Sequence, residues 1–335
     1  MAASARLRTW ALRGVYFLVG LALLIFLLRQ MDLIELWHWM GRMSAAAWAL
    51  AALAYLAKAA ARTTRVLRIH HQPFSAWGRM MRLMLASSLA GQVLPFKLGE
   101  LSYIYLLKKD QRLSVVDGVS SLLLLRIWDM LAISAWFVLA MWLAGALASL
   151  TVYFYAVLFF LAGLLLATTL LLVFSSHSQR ILQALEGWLE WPLWKKAWSA
   201  LRAVLRTMSA VRRREFAEWS AWAALEWGIN YLAYHILLLG IGLTPSLFET
   251  VTAVSFAALA SILPINSFGN FGLQEAGWAT GLISLGYEKS AALTSGFATH
   301  LLTLLLIAIF GGLAWLTYGV FAPGLWKMPR QKPGQ

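Results

Sequence analysis

Two short stretches break an otherwise greasy chain and limit what it can become. Leu94-Pro95-Phe96-Lys97-Leu98-Gly99-Glu100 and its imperfect echo, Leu263-Pro264-Ile265-Asn266-Ser267-Phe268-Gly269-Asn270-Phe271-Gly272-Leu273-Gln274-Glu275, share three features. Each has a Leu-Pro step that ends a helix, glycines that permit irregular backbone, and a glutamate. Non-helical backbone survives at membrane depth only where protein covers it or water lines it. An ionisable side chain there costs roughly 2.5–3.5 kcal/mol on insertion scales, which makes it a site by default. The two stretches are therefore expected to form the broken elements of one central site, with Pro95, Gly99, Pro264, Gly269 and Gly272 shaping its backbone.

Composition supports the membrane setting. Of 335 residues, 61% are hydrophobic and only 13% are charged, about half the charged fraction of an ordinary soluble domain. Eighteen tryptophans suit interfacial belts. The formal charge of +14 does not point to nucleic acid, because the basic residues fall in short loops between apolar segments, as the positive-inside rule requires. With no cysteine there is no disulfide, thiolate zinc site or cysteine nucleophile.

Along the chain, Arg6, Arg8 and Arg13 precede an apolar run over 15–28, read as an uncleaved first span with a cytoplasmic N-terminus. Residues 29–43, with Asp32, Glu35, Trp37, His38 and Trp39, are placed outside along the interface. A second span over 45–61 meets Arg62, Arg65 and Arg68, whose spacing of three puts them on roughly one helical face. They are read first as a positive-inside flank that snorkels to headgroups, and second as a fork for a lipid phosphate; Lys58 is read the same way. The apolar pieces over 80–94 and 101–107 are too short to cross. With basic residues at both ends, they read as a re-entrant hairpin over 79–107, its tip at residues 95–100.

Residues 115–144 can cross with tilt and carry Arg126 and Asp129 three positions apart, a pair expected to face the bundle interior and able to neutralise itself. After a return span over 151–174, residues 179–214 read as an amphipathic cytoplasmic segment, with Trp194, Trp198, Leu201, Leu205 and Met208 at helical spacing among basic residues. The second half repeats the plan: a span over 219–242 with Glu226 and Asn230 on one face, a hairpin over 250–286 entering from outside, and a last span over 290–318 with His300. The first half covers about 45–175 and the second about 219–320 of one integral membrane domain over 1–335. The expected fold is an all-α polytopic membrane protein with about six full transmembrane helices and two re-entrant hairpins in an inverted-topology repeat. Glu100 and Glu275 close the matched motifs, and Arg126 and His300 follow them at nearly the same distance.

These residues resemble those of the lysylphosphatidylglycerol synthase transmembrane family, a flippase-like family of bacterial and archaeal inner-membrane proteins. The resemblance spans about residues 10–320. It rests on the Leu-Pro-x-basic-x-Gly-Glu signature at residues 94–100, the Arg126-x-x-Asp129 step and the Gly272-x-x-Glu275 segment. It implies lipid handling; in multidomain relatives the equivalent domain is held to move aminoacylated phosphatidylglycerol across the bilayer. This chain resembles the stand-alone branch that lacks a soluble aminoacyl-transferring domain, and it departs from the pattern at Gln274, where relatives often carry a basic residue.

The expected function is a flippase for a polar-headgroup lipid, an aminoacyl-phospholipid or a polyprenyl-phosphate-linked sugar, working by alternating access in the inner membrane with both termini cytoplasmic. The substrate-binding candidates are Lys97, Glu100, Arg126, Asp129, Asn270, Glu275 and His300. Lys97 and Arg126 are ranked first for phosphate, while Glu100 and Glu275 are able to hold a headgroup amine or to carry protons. No metal or cofactor is expected, no nucleic-acid partner is expected, and the oligomeric state is left open. The competing class is a polytopic transferase acting on a lipid-linked substrate with Asp32 and Glu35 as its carboxylates. On the transporter reading, Glu100→Gln and Glu275→Gln abolish lipid movement in a folded protein, whereas Asp32→Asn matters little.

Overall fold

The computed structural model describes residue 29, residues 33–93, 98–143, 213–261 and 271–318, and scattered positions between 152 and 166. The expected first span, the amphipathic segment over 179–212 and both hairpin tips lie outside the described residues. What is described is helical, with no strand among the described residues. The helices are α1 (Leu33–Gly41), α2 (Ala45–Ile69), α3 (Trp77–Val93), α4 (Leu98–Gln111), α5 (Val115–Leu143), α6 (Arg213–Gly240), α7 (Leu247–Ala260), α8 (Leu273–Ser284) and α9 (Lys289–Leu316).

Local chemistry sets several helix starts. Ser44 caps α2 by accepting the Ala47 N–H at 3.1 Å, and a bend of 88° separates α1 from α2. Ser246 and Glu249 form a reciprocal capping box on α7, at 3.2 and 2.6 Å. Gly272 begins α8 with φ of +109°, a conformation that favours glycine, and its N–H donates to Glu275 Oε2 at 2.7 Å.

Helix packing follows a two-fold plan. α2 packs on α6; α3 packs on α4 and α9, while α7 packs on α8 and α5. α4 lies against α5 as α8 lies against α9, and α2 meets α3 as α6 meets α7. Matching 45–143 with 213–316 turns each of these contacts into another member of the set or into itself. One apolar core is built largely from the first half, around Met80, Leu83, Leu107, Leu124 and Trp128. The other gathers the second half with α1 and part of α2, around Tyr231, Val254, Trp278, Phe297 and Leu302.

Close helix approach within each hairpin depends on small residues. A Cβ on Gly99 would strike the backbone of Ala90 and Gly91, which holds the start of α4 against the end of α3. In the second hairpin, Gly277 and Gly281, one turn apart on α8, face Ala257 and Ala253 of α7; a Cβ at Gly277 would come within 2.5 Å of the Phe256 carbonyl.

α5 and α9, with 29 and 28 residues, are each long and apolar enough to cross a membrane, and α1 with α2 qualifies as a bent pair. The 28-residue α6 carries Arg213, Arg214, Glu215, Glu218 and Glu226, so composition alone does not mark it as a span. Large apolar side chains stand exposed around the bundle, among them Leu50, Leu53, Leu139, Trp142, Leu305, Ile309 and Leu313. On a water-soluble monomer such a belt would be an association liability; on a membrane protein it is the lipid-facing surface.

Candidate functional site

Between the two halves lies a cavity of about 590 Å³ whose wall takes residues from α2 through α9, within the range that small-molecule sites occupy. Its wall is mostly apolar, with a set of charged groups: Lys58 and Arg62 from α2, Glu100 from α4, Arg126 and Asp129 from α5, and Glu226 from α6. Asn230, Tyr103, Tyr234 and Gln274 add polar groups.

At the root of the first hairpin, Arg126 Nη2 donates to Glu100 Oε1, linking α5 to the first turn of α4. This pair stays open, with the two side chains 48% and 28% exposed. The matched residues of the second half also meet: His300 Nδ1 bonds Glu275 Oε1. That pair is sealed, at 2% and 0% exposure, with the Phe271 ring tilted against the imidazole at 4.6 Å. His300 Nε2 has no hydrogen-bond partner. Neither side chain belongs to the cavity wall, although Gln274 and Trp278 of the same helix do.

The α2–α6 contact carries a second charged cluster. Arg65 is fully buried, and its Nη2 lies 2.5 Å from Asp129 Oδ1 and 2.9 Å from Glu226 Oε2. Arg62 Nη1 donates to Glu226 Oε1 at 3.0 Å and sits 3.8 Å from Asp129. Trp227 Nε1 donates to Asp129 at 3.3 Å, and Lys58 Nζ donates to Asn230 Oδ1 at 3.1 Å while lying 5.6 Å from the centre of the Tyr55 ring. Glu226 follows Lys58 by the same 168 positions that separate Asn230 from Arg62. The Lys58–Asn230 and Arg62–Glu226 contacts are therefore each other's mates under the two-fold plan.

Two expectations are corrected here. Arg62 and Arg65 are not a flank snorkelling to headgroups, because carboxylates from α5 and α6 draw them inward. Of the three arginines only Arg68 fits that description, 57% exposed and 3.0 Å from Glu218. Nor do Arg126 and Asp129 neutralise one another: each finds its partner on another helix, Arg126 on Glu100 and Asp129 on Arg65 and Arg62.

Of the other candidates, Gly272 takes a positive φ at the start of α8, whereas Gly99 lies inside α4, where it permits close packing rather than irregular backbone. Lys97, Pro95, Pro264, Gly269 and Asn270 lie outside the described residues, as does Asp32. Sequence reasoning missed Lys58 as an interior group and gave Glu226 and Asn230 no role. The available signal was the pair of i, i+4 polar steps at 58/62 and 226/230 at one common offset. Among the described residues, no three His, Asp or Glu side chains gather into a metal-ligand set.

No curated protein matches this chain, and no solved structure matches it. A family model does: the lysylphosphatidylglycerol synthase TM region aligns with residues 14–311 and so takes in both hairpins, the cavity and both charged pairs. With apolar helices that can cross a bilayer and a match over most of its length, the chain is a multi-pass membrane protein and belongs to the lysylphosphatidylglycerol synthase TM region family.

Proposed function

We propose that the protein moves a polar-headgroup lipid across the inner membrane, its central cavity receiving the headgroup while the acyl or polyprenyl chain stays in lipid. The observation that carries this reading is the cavity itself: about 590 Å³ between two matched halves, walled by all eight helices α2–α9 and holding six charged side chains inside an apolar bundle. Charges at that depth are costly unless they serve a polar passenger or one another. The open Glu100–Arg126 pair has the exposure needed to touch a headgroup.

In this reading the α3–α4 and α7–α8 pairs are re-entrant hairpins that enter from opposite sides, the chain has six full spans, and both termini are cytoplasmic. The two-fold packing plan supports an inverted repeat, the arrangement in which transporters place discontinuous helices and substrate near the midplane. The protein then works without chemistry on the lipid: the halves rock about the α2–α6 contact, and the Glu100–Arg126 pair stays joined beside the headgroup.

The test is lipid movement in proteoliposomes reconstituted with the purified full chain, scored by the fraction of a headgroup-labelled phospholipid that an external quencher reaches. Wild-type protein raises that fraction above protein-free vesicles, and Glu100→Gln returns it to the vesicle baseline while remaining folded. Equal movement by wild type and Glu100→Gln would overturn the reading.

A further inference from the structure

We propose that Lys58 and Arg62, braced by the buried Arg65, seat the phosphodiester of a lipid with one net negative charge and no headgroup amine. This deepens the transport reading and rests on it. The substrate class is then an anionic polyol or sugar phosphodiester lipid, and an aminoacyl-phospholipid is excluded.

α2 sends three cations, Lys58, Arg62 and Arg65, toward two carboxylates, Asp129 and Glu226. The two arginines take both carboxylates, and Lys58 is left with the neutral amide oxygen of Asn230 and the face of Tyr55. Arg126 does not upset the balance, because Glu100 is its partner. The cavity wall together with Arg65 therefore carries one unmatched positive charge among the described residues. In a low-dielectric interior a lone charge calls for a counter-ion far more strongly than it would in water.

Donor geometry points the same way. Lys58 and Arg62 stand one helical turn apart and both line the cavity. Asn230, whose oxygen accepts from Lys58, has amide N–H groups left to offer an oxyanion. Behind them, Arg65 is fully buried off the cavity wall and holds Asp129 and Glu226 in place. A phosphodiester brings acceptor oxygens for the donors of Lys58, Arg62 and Asn230 and a single negative charge for the unmatched cation.

The same accounting excludes an amine. The described wall has three carboxylates, Glu100, Asp129 and Glu226, and each already meets an arginine. An ammonium on the headgroup would find no carboxylate free and would restore the unmatched positive charge.

The experiment is native mass spectrometry of the full chain equilibrated in nanodiscs holding equal amounts of phosphatidylglycerol, phosphatidylethanolamine, lysylphosphatidylglycerol and a polyprenyl phosphate hexose. The wild type should retain phosphatidylglycerol or the hexose lipid about tenfold over the two amine-bearing lipids, the size of effect one charge-assisted contact provides. Which of the two is retained separates a glycerolipid from a polyprenyl source of the phosphodiester. Lys58→Gln should remove the preference and Lys58→Arg should keep it. Asn230→Asp, which gives Lys58 a carboxylate of nearly unchanged shape, should remove it as well and carries the test if Lys58→Gln does not fold. Retention of an amine-bearing lipid that depends on Glu100 but not on Lys58 or Asn230 would overturn this inference and leave the transport reading standing. A wild type that selects no lipid class would sink both.

Discussion

At the root of the first hairpin, Arg126 meets Glu100 with 48% and 28% of the two side chains exposed; at the matching root of the second, His300 meets Glu275 at 2% and 0%. The sequence positions correspond, but the surroundings do not. Arg126 faces the cavity, so its pairing resembles an exposed ion pair, worth about 1 kcal/mol or less. Glu275 also accepts the Gly272 N–H and so fixes the start of α8. The two-fold plan thus supplies one hairpin root that can open to a ligand and another that is locked. What a repeat duplicates is position; burial then decides which copy is available for binding.

The largest effect that would sharpen this contrast is Glu275→Gln. It weakens the acceptor for His300 and for the Gly272 N–H inside a sealed site, and should destabilise the protein by about 3 kcal/mol. Glu100→Gln should cost about 1 kcal/mol or less. Thermal unfolding of the two variants in one detergent checks the difference, and equal shifts would break the comparison. The sequence-based expectation that both variants stay folded is therefore revised for Glu275 alone.

Gly99→Ala comes next. Its new methyl group meets the backbone of Ala90 and Gly91, so the start of α4 must move away from α3 and carry Glu100 off Arg126. Lipid movement should fall to the vesicle baseline, with a stability loss of about 1–3 kcal/mol. Gly286, at positive φ with nothing near its missing Cβ, provides a control that disturbs backbone conformation alone.

A milder change gives the open root the side chain of the sealed one. Arg126→His should fold normally and turn lipid movement pH-dependent: present near pH 5.5, where an imidazole of ordinary pKa of about 6.5 is charged, and falling as the pH rises past about 7.5. Transport that ignores pH in this variant would show that charge at position 126 is dispensable.

A last effect, confined to acid pH, comes from outside both hairpins. His70, at the C-cap of α2, is pushed down to about 4 by burial. The unfolded chain therefore binds a proton that the folded chain refuses, and stability should fall as the pH drops from about 6.5 to about 4, with no change above that window. Replacing His70 by Gln should flatten that part of the stability profile, and this background is to be subtracted when the Arg126→His variant is read.

The broken motifs, the two matched halves and the Glu100–Arg126 and Glu275–His300 correspondence could be read from one dimension, because prolines, glycines and isolated charges in an apolar sequence are conspicuous. The interior role of Lys58, Arg62 and Arg65 could not. Three basic residues after an apolar run look the same whether they face headgroups or carboxylates, and the deciding partners, Asp129 and Glu226, lie 64 or more positions downstream. The span of α6 was legible from its apolar run, whereas the reason for its Glu226 was not, since a helix that neutralises its neighbour shows the charge without showing the partner. The glycine pair at 277 and 281 escaped notice because its meaning depends on the alanines of α7 across from it.

The most direct measurement uses the fact that the chain has no cysteine of its own. Single cysteines are placed on the cavity wall by Ser88→Cys and Ser261→Cys, and behind it by Ser295→Cys, where Ser295 accepts the Trp278 indole N–H in the buried second half. Each full-length variant in vesicles is then treated with a small hydrophilic thiol reagent, with and without added anionic lipid. A headgroup chamber between the two halves predicts labelling at 88 and 261, slowed by the lipid, and none at 295. Inert cysteines at 88 and 261, or equal labelling at all three positions, would contradict it.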